Sequence, residues 1–569
     1  MSILDATAAT RRPWEKFYPP GVDWHAPIRT QPLTRLVDQA VARFADHPFL
    51  DFPGLAWRYR EFGVLIDRVA RRLADLGVGP GVGVGLYLPN VPHFPVAFFA
   101  VLKAGGRVVN MSPLDADREL RHKVIDSEIR LAITLAADPL YPKLAAQLGA
   151  GGLGRIVVGT PDDFGAPDPR TSAAYARLGG ALPIVDDPRH VRFADLLRPS
   201  MTALPPDPPT DEVALLQYTG GTTGVPKAAM LTHANLSAAV EMYDLWNRGN
   251  DVGMMPGRER VMLVLPLFHI YALTTLLLRG THNGYCLILR PRFDVDDILA
   301  DIATVRPTQF SGVPTMFRAI ANHPRAATVD FSSLKICNTG GAPLPAELRE
   351  PFERLSGRML AEGWGMTETA PAGANSPVNA SRRPGATGLP LPGVDIEIRD
   401  LDDPARRLPA GEKGEICVRG KNVMKGYWKQ PEATSEAFHD GFLRTGDIGY
   451  LDTDGFLFLV DRKKDMILSG GYNVYPRMIE EAIYEHPGVL EVIVIGIADD
   501  YRGQSAKAFV TLRAGAAPFS LETLRGFLAD KLGRHELPTV LEFRDALPKT
   551  AVGKLSKKIL MEEERPRQS

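Results

Sequence analysis

The chain has 569 residues, of which 45% are hydrophobic and 23% charged, and its formal net charge is −1. One hydrophobic core does not usually support this length, so we expect two or more domains. The near-zero charge excludes a global attraction to nucleic acid or to an anionic membrane. The cysteines Cys286, Cys337 and Cys417 are too far apart for a metal motif or a disulfide framework, which is typical of a reducing cytoplasm.

The sequence contains no segment that predicts export or membrane insertion. Residues 1–21 have no apolar signal-like stretch, and no window reaches the ~18 uninterrupted apolar residues that a spanning helix needs. We therefore expect a cytoplasmic protein without a transmembrane segment or a nucleic-acid partner. Peripheral contact with a membrane stays open, and so does the choice between a monomer and a homodimer.

Helices and strands alternate through the first half of the chain. Apolar residues recur at helical spacing over 33–44 and 59–76, and a further helix is predicted at 268–278. The apolar run 82–88 and the short segment 107–110 are predicted to be strands. This alternation predicts a mostly parallel sheet that helices cover on both faces. Residues 149–209 are rich in glycine, proline and aspartate, so we expect a long surface connection there.

The second half of the chain changes character twice. Short strands, turns and charges at 393–419 predict a small antiparallel or barrel-like element, and five consecutive charged residues follow at 461–465. A charge run is usually a solvated face, and a hinge is the sharper interpretation. The prediction is an α/β protein with a large N-terminal domain over 1–461, a hinge at 462–465 and a small mobile α/β domain over 466–569.

A loop rich in glycine and threonine follows the apolar run at 213–218 and ends in a lysine. Glycines can turn backbone N–H groups toward a ligand, while threonine hydroxyls and the lysine add further donors. The loop therefore predicts a polyphosphate site, with a polar hairpin turn as the alternative. Val225, Pro226 and Ala228 exclude a Walker A motif. The predicted phosphate contacts are Thr219, Gly220, Gly221, Thr222, Thr223, Gly224 and Lys227.

This loop resembles the phosphate loop of the adenylate-forming acyl-CoA synthetases, which are ATP-dependent AMP-binding enzymes. Segments at 340–344, 362–369, 444–449 and 548–555 are similar to further motifs of the family, in the family's order. The resemblance covers residues from about 33 to 559 and is greatest to bacterial medium- and long-chain fatty acid–CoA ligases. It favours an enzyme over a binding module.

The resemblance implies a nucleotide site from several separated residues. Trp364 stands where tyrosine is commoner, which keeps stacking on adenine and leaves open any hydrogen bond that the tyrosine hydroxyl makes. Glu368 offers the carboxylate oxygens that Mg²⁺ prefers, with a buried turn as the alternative for its segment. In the family, the aspartate matching Asp447 holds both ribose hydroxyls, and an Asx-turn is the alternative here. The other implied contacts are Gly341, Ala342, Pro343 and Gly365 near adenine, Thr367 at a phosphate, and Arg462 at ribose and phosphate.

The resemblance also implies how the reaction proceeds. Lys554 would contact the substrate carboxylate and the α-phosphate, because two anions at bonding distance need positive charge between them. A pivot at Lys464 would then withdraw Lys554 and present Gly471, whose missing side chain leaves room for the thiol arm of CoA. A lysine acetyltransferase acting on Lys554 would remove the charge that the first step needs.

The identity of the acid depends on the acyl pocket. His269 is implied at its edge near the reacting carboxylate, with a satisfied core histidine as the alternative. The candidate walls are Trp246, Tyr271, Val313 and Met316, and their apolar character favours an aliphatic acid. A dicarboxylic acid of the pimeloyl type requires an arginine at the far end, and Arg248, Arg258 and Arg260 are the candidates. An aromatic acid is the third alternative.

The predicted reaction has two steps. A medium- to long-chain fatty acid and ATP with Mg²⁺ give an acyl-adenylate and pyrophosphate, and CoA then releases AMP and forms acyl-CoA. A ligase that loads the acyl group onto a carrier protein is the second enzyme class. A nucleotide-binding sensor with a fatty ligand is the alternative without catalysis.

Overall fold

The computed structural model describes residues 12–219, 226–249, 253–341, 344, 346–379, 381–470, 472–550 and 553–564. The strands, in chain order, are β1 (Pro48–Phe52), β2 (Leu55–Arg58), β3 (Gly83–Leu86), β4 (Arg107–Asn110), β5 (Leu131–Leu135), β6 (Arg155–Gly159), β7 (His190–Arg192), β8 (Val213–Thr219), β9 (Lys227–Thr232), β10 (Arg260–Leu263), β11 (Cys286–Leu289), β12 (Gln309–Gly312), β13 (Ile336–Gly340), β14 (Leu360–Trp364), β15 (Ala374–Asn375), β16 (Leu389–Pro390), β17 (Asp395–Arg399), β18 (Gly414–Arg419), β19 (Phe438–His439), β20 (Phe442–Leu451), β21 (Leu457–Arg462), β22 (Ile467–Ser469), β23 (Tyr472–Val474), β24 (Val489–Asp499), β25 (Gly503–Leu512) and β26 (Val540–Phe543).

The α-helices are α1 (Leu33–Arg43), α2 (Tyr59–Asp75), α3 (His93–Lys103), α4 (Asp117–Asp126), α5 (Leu140–Ala145), α6 (Pro169–Ala176), α7 (Phe193–Leu196), α8 (His233–Gly249), α9 (Ile270–Ala272), α10 (Arg279–His282), α11 (Val295–Thr304), α12 (Pro314–Ala321), α13 (Ala346–Ser356), α14 (Pro431–Ala437), α15 (Pro476–Tyr484), α16 (Leu521–Leu528) and α17 (Lys557–Glu563). A π-helical segment, Leu273–Leu278, joins α9 to α10.

Two large sheets form the core of the N-terminal part. Among the described residues, one sheet has the order β7-β6-β5-β3-β4-β8-β9, and the other has the order β16-β15-β14-β13-β12-β10-β11-β1-β2. Neighbouring strands are parallel except at the ends, where β8–β9, β1–β2 and β14–β15–β16 are antiparallel. Helix α3 is buried from His93 to Leu102, as expected for a helix enclosed within the core. The predicted mostly parallel α/β fold is confirmed.

A third, antiparallel sheet follows the two large ones. It has the order β17-β18-β20-β19, and β21 pairs with β20. The predicted antiparallel element at 393–419 is therefore present as β17 and β18, whose register pairs Ile396 with Val418. The pairing of β20 with β21 sets Asp447 opposite Arg462, two residues that the sequence predicts at one ribose.

The C-terminal part has a sheet and hydrophobic clusters of its own. The order is β23-β22-β25-β24, with β26 parallel to β25. Helices α15 and α16 cover one face, where Ile479, Ile483, Leu524 and Leu528 are buried. The charged run at 461–465 spans the end of β21 and the turn before β22. It connects two sheets whose main cores are separate, and a small cluster containing Val460 and Tyr475 bridges it.

Two stretches differ from expectation. Residues 149–209, predicted to be a surface connection, contain β6, α6, β7 and α7, and β6 and β7 extend the first sheet. These strands are five and three residues long, and glycine, proline and aspartate around them mask their apolar pattern. The helix predicted at 268–278 begins at Ile270, becomes π-helical at Leu273 and continues as α10 to His282.

Candidate active site

A cavity of about 2220 Å³ lies between the large sheets and the C-terminal part. Typical small-molecule sites occupy roughly 300–1,000 Å³, so this cavity has room for more than one substrate. Most predicted site residues that the structure describes line it. They are Thr219, Lys227, Trp246, His269, Tyr271, Val313, Gly341, Trp364, Gly365, Thr367, Glu368, Asp447, Arg462, Lys464 and Lys554.

The tip of the predicted phosphate loop is not part of this description. Gly220, Gly221, Thr222, Thr223 and Gly224 lie outside the described residues, as do Ala342, Pro343 and Gly471. The base of the loop is described: Thr219 pairs with Lys227 across the β8–β9 hairpin. The Tyr218 hydroxyl donates a hydrogen bond of 2.6 Å to Asp126 of α4. The hairpin therefore holds Lys227 at the cavity, 5.2 Å from the ring centroid of Tyr427.

The segment after β14 is tightly packed. A Cβ atom at Gly365 would lie 1.5 Å from the carbonyl oxygen of Pro371, so a side chain there requires backbone movement. The next residues form a short 3₁₀-helix, Thr367–Thr369. Glu368 is buried, and the Tyr427 hydroxyl donates a 2.9 Å hydrogen bond to its carboxylate. Burial raises the pKa of Glu368, so a nearby cation would stabilise its ionised form.

Asp447 receives hydrogen-bond donors from two directions. The indole N–H of Trp364 donates to Asp447 Oδ2 at 2.9 Å, and Arg462 Nε lies 3.0 Å from Oδ1. This hydrogen bond uses the edge of the Trp364 indole and leaves the face of the ring available for stacking. The carboxylate is held in one orientation within a buried position, which suits recognition of paired hydroxyl groups.

Lys554 reaches the cavity from the far end of the chain. Its amine lies against Gly341, since a Cβ atom added at Gly341 would be 2.4 Å from Lys554 Nζ. Gly341 has a φ of +78°, a conformation that side-chain-bearing residues rarely adopt. Burial, and then the charge of Arg462, lower the pKa of Lys554 to about 8. The amine thus stands as a poorly solvated cation beside the predicted adenine segment.

Direct contacts hold the C-terminal part against the large part. Arg318 of α12 forms an ion pair with the buried carboxylate of Glu491 on β24 and donates to the Leu490 carbonyl at 2.5 Å. The Thr315 hydroxyl donates to the Gly553 carbonyl at 3.2 Å, one residue before Lys554. These contacts keep the lysine inside the cavity.

His269 stands at the N-terminus of α9. Its Nδ1 accepts a hydrogen bond of 3.2 Å from the backbone N–H of Tyr271. Burial, and then the charge of Lys554, lower the pKa of His269 to about 3, so the ring is neutral near pH 7. Because Nδ1 is an acceptor, the ring proton is on Nε2, where it can be donated to a ligand.

The acyl end of the cavity differs from the apolar pocket that the sequence predicts. Trp246, Tyr271 and Val313 line it, whereas Met316 is buried in the core and its sulfur is directed toward Gly312. Polar side chains also line this end, namely Asn247, Thr275, Arg279, Gln309 and Ser311.

The arginines that the sequence suggested for a dicarboxylic acid do not line this cavity. Arg248 borders a separate pocket beside α1. The guanidinium of Arg260 lies 3.7 Å from the carboxylate of Asp51, and Arg258 lines neither the cavity nor that separate pocket. Arg279 occupies the cavity wall instead. A single charged residue at the end of the apolar run 272–278 was the sequence signal for it.

The described residues contain no cluster of three or more His, Cys, Asp or Glu side chains arranged to hold a metal ion. Glu368 offers carboxylate oxygens, which fit Mg²⁺ shared with substrate phosphates. Within the same residues, helices that combine the length and the apolar character needed to cross a bilayer are absent. The three cysteines are buried and unpaired.

Comparison with known proteins agrees with this geometry. The family model described as "AMP-binding enzyme" matches residues 37–428, and the model of the AMP-binding enzyme C-terminal domain matches residues 478–554. The chain belongs to the AMP-binding enzyme family. The resemblance stated from the motifs is therefore confirmed.

This AMP-binding enzyme has relatives that match it over most of its length. A long-chain-fatty-acid–CoA ligase of Bacillus subtilis strain 168 is 36% identical over 561 residues, which cover 98% of each chain. A feruloyl-CoA synthase of an Amycolatopsis species is 36% identical over 509 residues, 89% of this chain and 93% of the relative. The crystal structure of ATP-bound MatB from Rhodopseudomonas palustris superposes with a TM-score of 0.79 at 28% identity, covering 94% and 99% of the two chains.

Proposed function

We propose that this enzyme is an AMP-forming acid–CoA ligase that activates medium- to long-chain fatty acids. The observation that carries the proposal is the meeting of Lys554 with Gly341 in the cavity that Asp447, Trp364 and Thr367 also line. A cation from the C-terminal end of the chain thereby faces residues suited to a nucleotide. The fatty acid follows from the similarity to long-chain-fatty-acid–CoA ligases over 98% of the chain.

In the first half-reaction, the acid carboxylate attacks the α-phosphorus of ATP and pyrophosphate leaves. The Lys554 ammonium offsets the repulsion between the two anions, and the Nε2–H of His269 can orient the carboxylate. Asp447 would hold the ribose hydroxyls, with Trp364 against the base. Glu368 would hold Mg²⁺, which supplies charge neutralisation for the phosphates when bound.

In the second half-reaction, the CoA thiolate attacks the acyl carbon and AMP leaves. We propose that the lobes rearrange about the charged run 462–465 before this step, with Lys464 at the pivot. Lys554 would withdraw and Gly471 would border the thiol arm of CoA. The large hydrophobic clusters lie on opposite sides of the run and only a small cluster containing Val460 and Tyr475 bridges it among the described residues, which supports two bodies that move as units.

Two assays on the purified full-length chain test the proposal. With ATP and Mg²⁺, the enzyme should release pyrophosphate only when a fatty acid is present, and a panel of fatty acids is compared. Addition of CoA without any carrier protein should then yield acyl-CoA, which mass spectrometry detects. A carrier-protein ligase would release pyrophosphate and form no acyl-CoA. If no carboxylic acid supports pyrophosphate release, the enzyme is not an acid–CoA ligase.

A lysine variant assigns the first step. Lys554→Ala should lose pyrophosphate release while it still forms acyl-CoA from a preformed acyl-adenylate and CoA, because the ammonium is needed only while two anions approach. Lys531→Ala is the matched control: Lys531 pairs with Glu485 at the surface of the same C-terminal part. Equal loss of both half-reactions in Lys554→Ala contradicts this role.

A further inference from the structure

A buried ion pair borders the acyl end of the cavity. Arg279 Nε donates to Asp244 Oδ1 at 2.8 Å, and the side chains of the two residues are 5% and 6% exposed. The Asn283 amide donates to both oxygens of Asp244, at 2.9 and 3.0 Å. Arg279 lines the cavity and Asp244 lies behind it on α8. The pair is therefore nearly neutral, with the arginine facing the space.

Two elements place this pair far from the reacting carboxylate. Arg279 follows His269 by ten residues of continuous helix, part of it π-helical, so the separation is at most about 15 Å at the α-helical rise of about 1.5 Å per residue. Gln309 stands at the start of β12 and Gly312 at its end, a separation of about 10 Å along the strand. Gly312 pairs with Thr339, two residues before Gly341, which contacts Lys554. Arg279 and Gln309 thus lie at the distal end of an acyl chain.

Hydrogen-bonding capacity remains at this end. An arginine has five N–H donors, and here Nε is bonded to Asp244 while Nη1 lies 3.4 Å from Gln309 Oε1. Within the described residues, Nη2 of Arg279 makes no hydrogen bond. The Gln309 amide donates to Ser311 at 3.2 Å, which continues the polar line along one wall. A saturated hydrocarbon chain offers these groups nothing to bond.

The ion pair is not explained by stability. Buried ion pairs are often no more stabilising than hydrophobic residues of the same size, and an alkyl pocket needs only hydrophobic walls. The charge arrangement also selects among ligands. A second carboxylate would approach Asp244 as well as Arg279, so the pair gives it little net attraction. A neutral oxygen can accept hydrogen bonds from the remaining arginine N–H groups, and the Asp244 carboxylate does not repel it.

We propose that the preferred acid carries a neutral hydrogen-bond-accepting oxygen, a hydroxyl or carbonyl group, at the end of its chain remote from the carboxylate. The inference rests on the proposed acid–CoA ligase function and narrows its substrate class. Arg279 and Gln309 bind that oxygen, and Asp244 fixes the guanidinium from behind. The distance from His269 to the ion pair of Arg279 and Asp244 corresponds to an acid of medium chain length.

The test compares acids that differ only at the distal end. Acid-dependent pyrophosphate release is measured with octanoate, its terminal hydroxyl derivative, suberate and hexadecanoate. The wild-type kcat/KM should be about tenfold higher for the hydroxyl derivative than for octanoate, since one hydrogen bond to a charged donor is gained. The kcat/KM for suberate should be lower than that for the hydroxyl derivative.

Two variants assign the selectivity to these residues. The double variant Asp244→Leu, Arg279→Leu removes both charges together and should reverse the preference in favour of octanoate. Gln309→Leu is a smaller change that should reduce the preference severalfold. The matched control is Arg290→Leu, Asp301→Leu, which removes a buried ion pair outside the cavity and should leave the ratio unchanged.

The outcomes separate this inference from the proposed function. If no acid releases pyrophosphate, the ligase assignment fails. If octanoate or hexadecanoate equals or exceeds the hydroxyl derivative in the wild type, the ligase assignment stands and the distal-oxygen inference is overturned. A suberate rate above that of the hydroxyl derivative overturns the neutral class. Should the double variant melt below the assay temperature, the wild-type ratio and Gln309→Leu still decide.

Discussion

The acid-activating step of this enzyme should slow as the pH rises through about 8, because Lys554 must be charged to draw two anions together. Its pKa is lowered from the ordinary value of 10.5 to about 8, by burial first and by the charge of Arg462 second. Asp447 opposes the shift without cancelling it. A lowered lysine pKa means that the cation is present below that pH and is lost above it.

The size of the effect follows from the titration of one group. With a pKa of about 8, the amine is roughly nine-tenths charged at pH 7 and roughly one-tenth charged at pH 9. The kcat/KM of pyrophosphate release reports the free enzyme and should therefore fall about tenfold between these two pH values. Bound ATP and carboxylate add negative charge beside the amine, so the corresponding limb in kcat should lie at higher pH.

The assay measures initial rates of pyrophosphate release across this range at constant ionic strength. Lys554→Arg is the informative variant, because a guanidinium stays charged throughout. Its absolute rate should be lower, since the Gly341 cradle is shaped for an amine, and its alkaline limb should be absent. Formation of acyl-CoA from preformed acyl-adenylate should show no fall near pH 8. A flat wild-type profile to pH 9, or an unchanged limb in the arginine variant, refutes the reasoning.

Two further contacts give separate expectations. Trp364→Phe keeps an aromatic face, although a smaller one, and loses the hydrogen bond to Asp447, so the KM for ATP should rise about tenfold. The preference for ATP over a deoxy-ATP lacking a ribose hydroxyl should shrink with it, and an unchanged KM would show that the contact has no role. Arg318→Ala removes the ion pair to Glu491 and should slow pyrophosphate release about tenfold while sparing acyl-CoA formation from acyl-adenylate. If Arg318→Ala slows pyrophosphate release and acyl-CoA formation equally, the two steps do not use different arrangements of the lobes.

The sequence predicted regular elements best where their periodicity was long or their apolar runs were uninterrupted. Helix α2 was expected at 59–76 and spans Tyr59–Asp75, because its buried residues repeat at helical intervals. Strand β4 coincides with the four residues predicted at 107–110. Strands β6 and β7 were missed because their pairing with β5 and with each other is tertiary information. Short strands near the end of a sheet carry little local signal.

The motifs also identified most of the cavity-lining residues, since each motif has its own unusual composition. Partners far apart in the chain were beyond such reasoning. Arg318 and Glu491 are 173 positions apart, and nothing local pairs them. The polar acyl end was missed for a similar reason: Asp244 and Arg279 lie on different helices that meet only in the folded chain. The apolar residues near Asp244 and Arg279 in the sequence predicted a hydrophobic pocket instead.

The π-helical turn at Leu273–Leu278 makes the position of Arg279 tolerant of a change in helix length. A wide turn of this kind amounts to one additional residue in an otherwise regular α-helix, and it accommodates that residue without the rotation of about 100° that each residue of an α-helix otherwise adds. Deletion of one residue within the turn should therefore leave a regular α-helix with Arg279 still at the cavity wall. The polar end of the pocket would be retained after the loss of a single codon there.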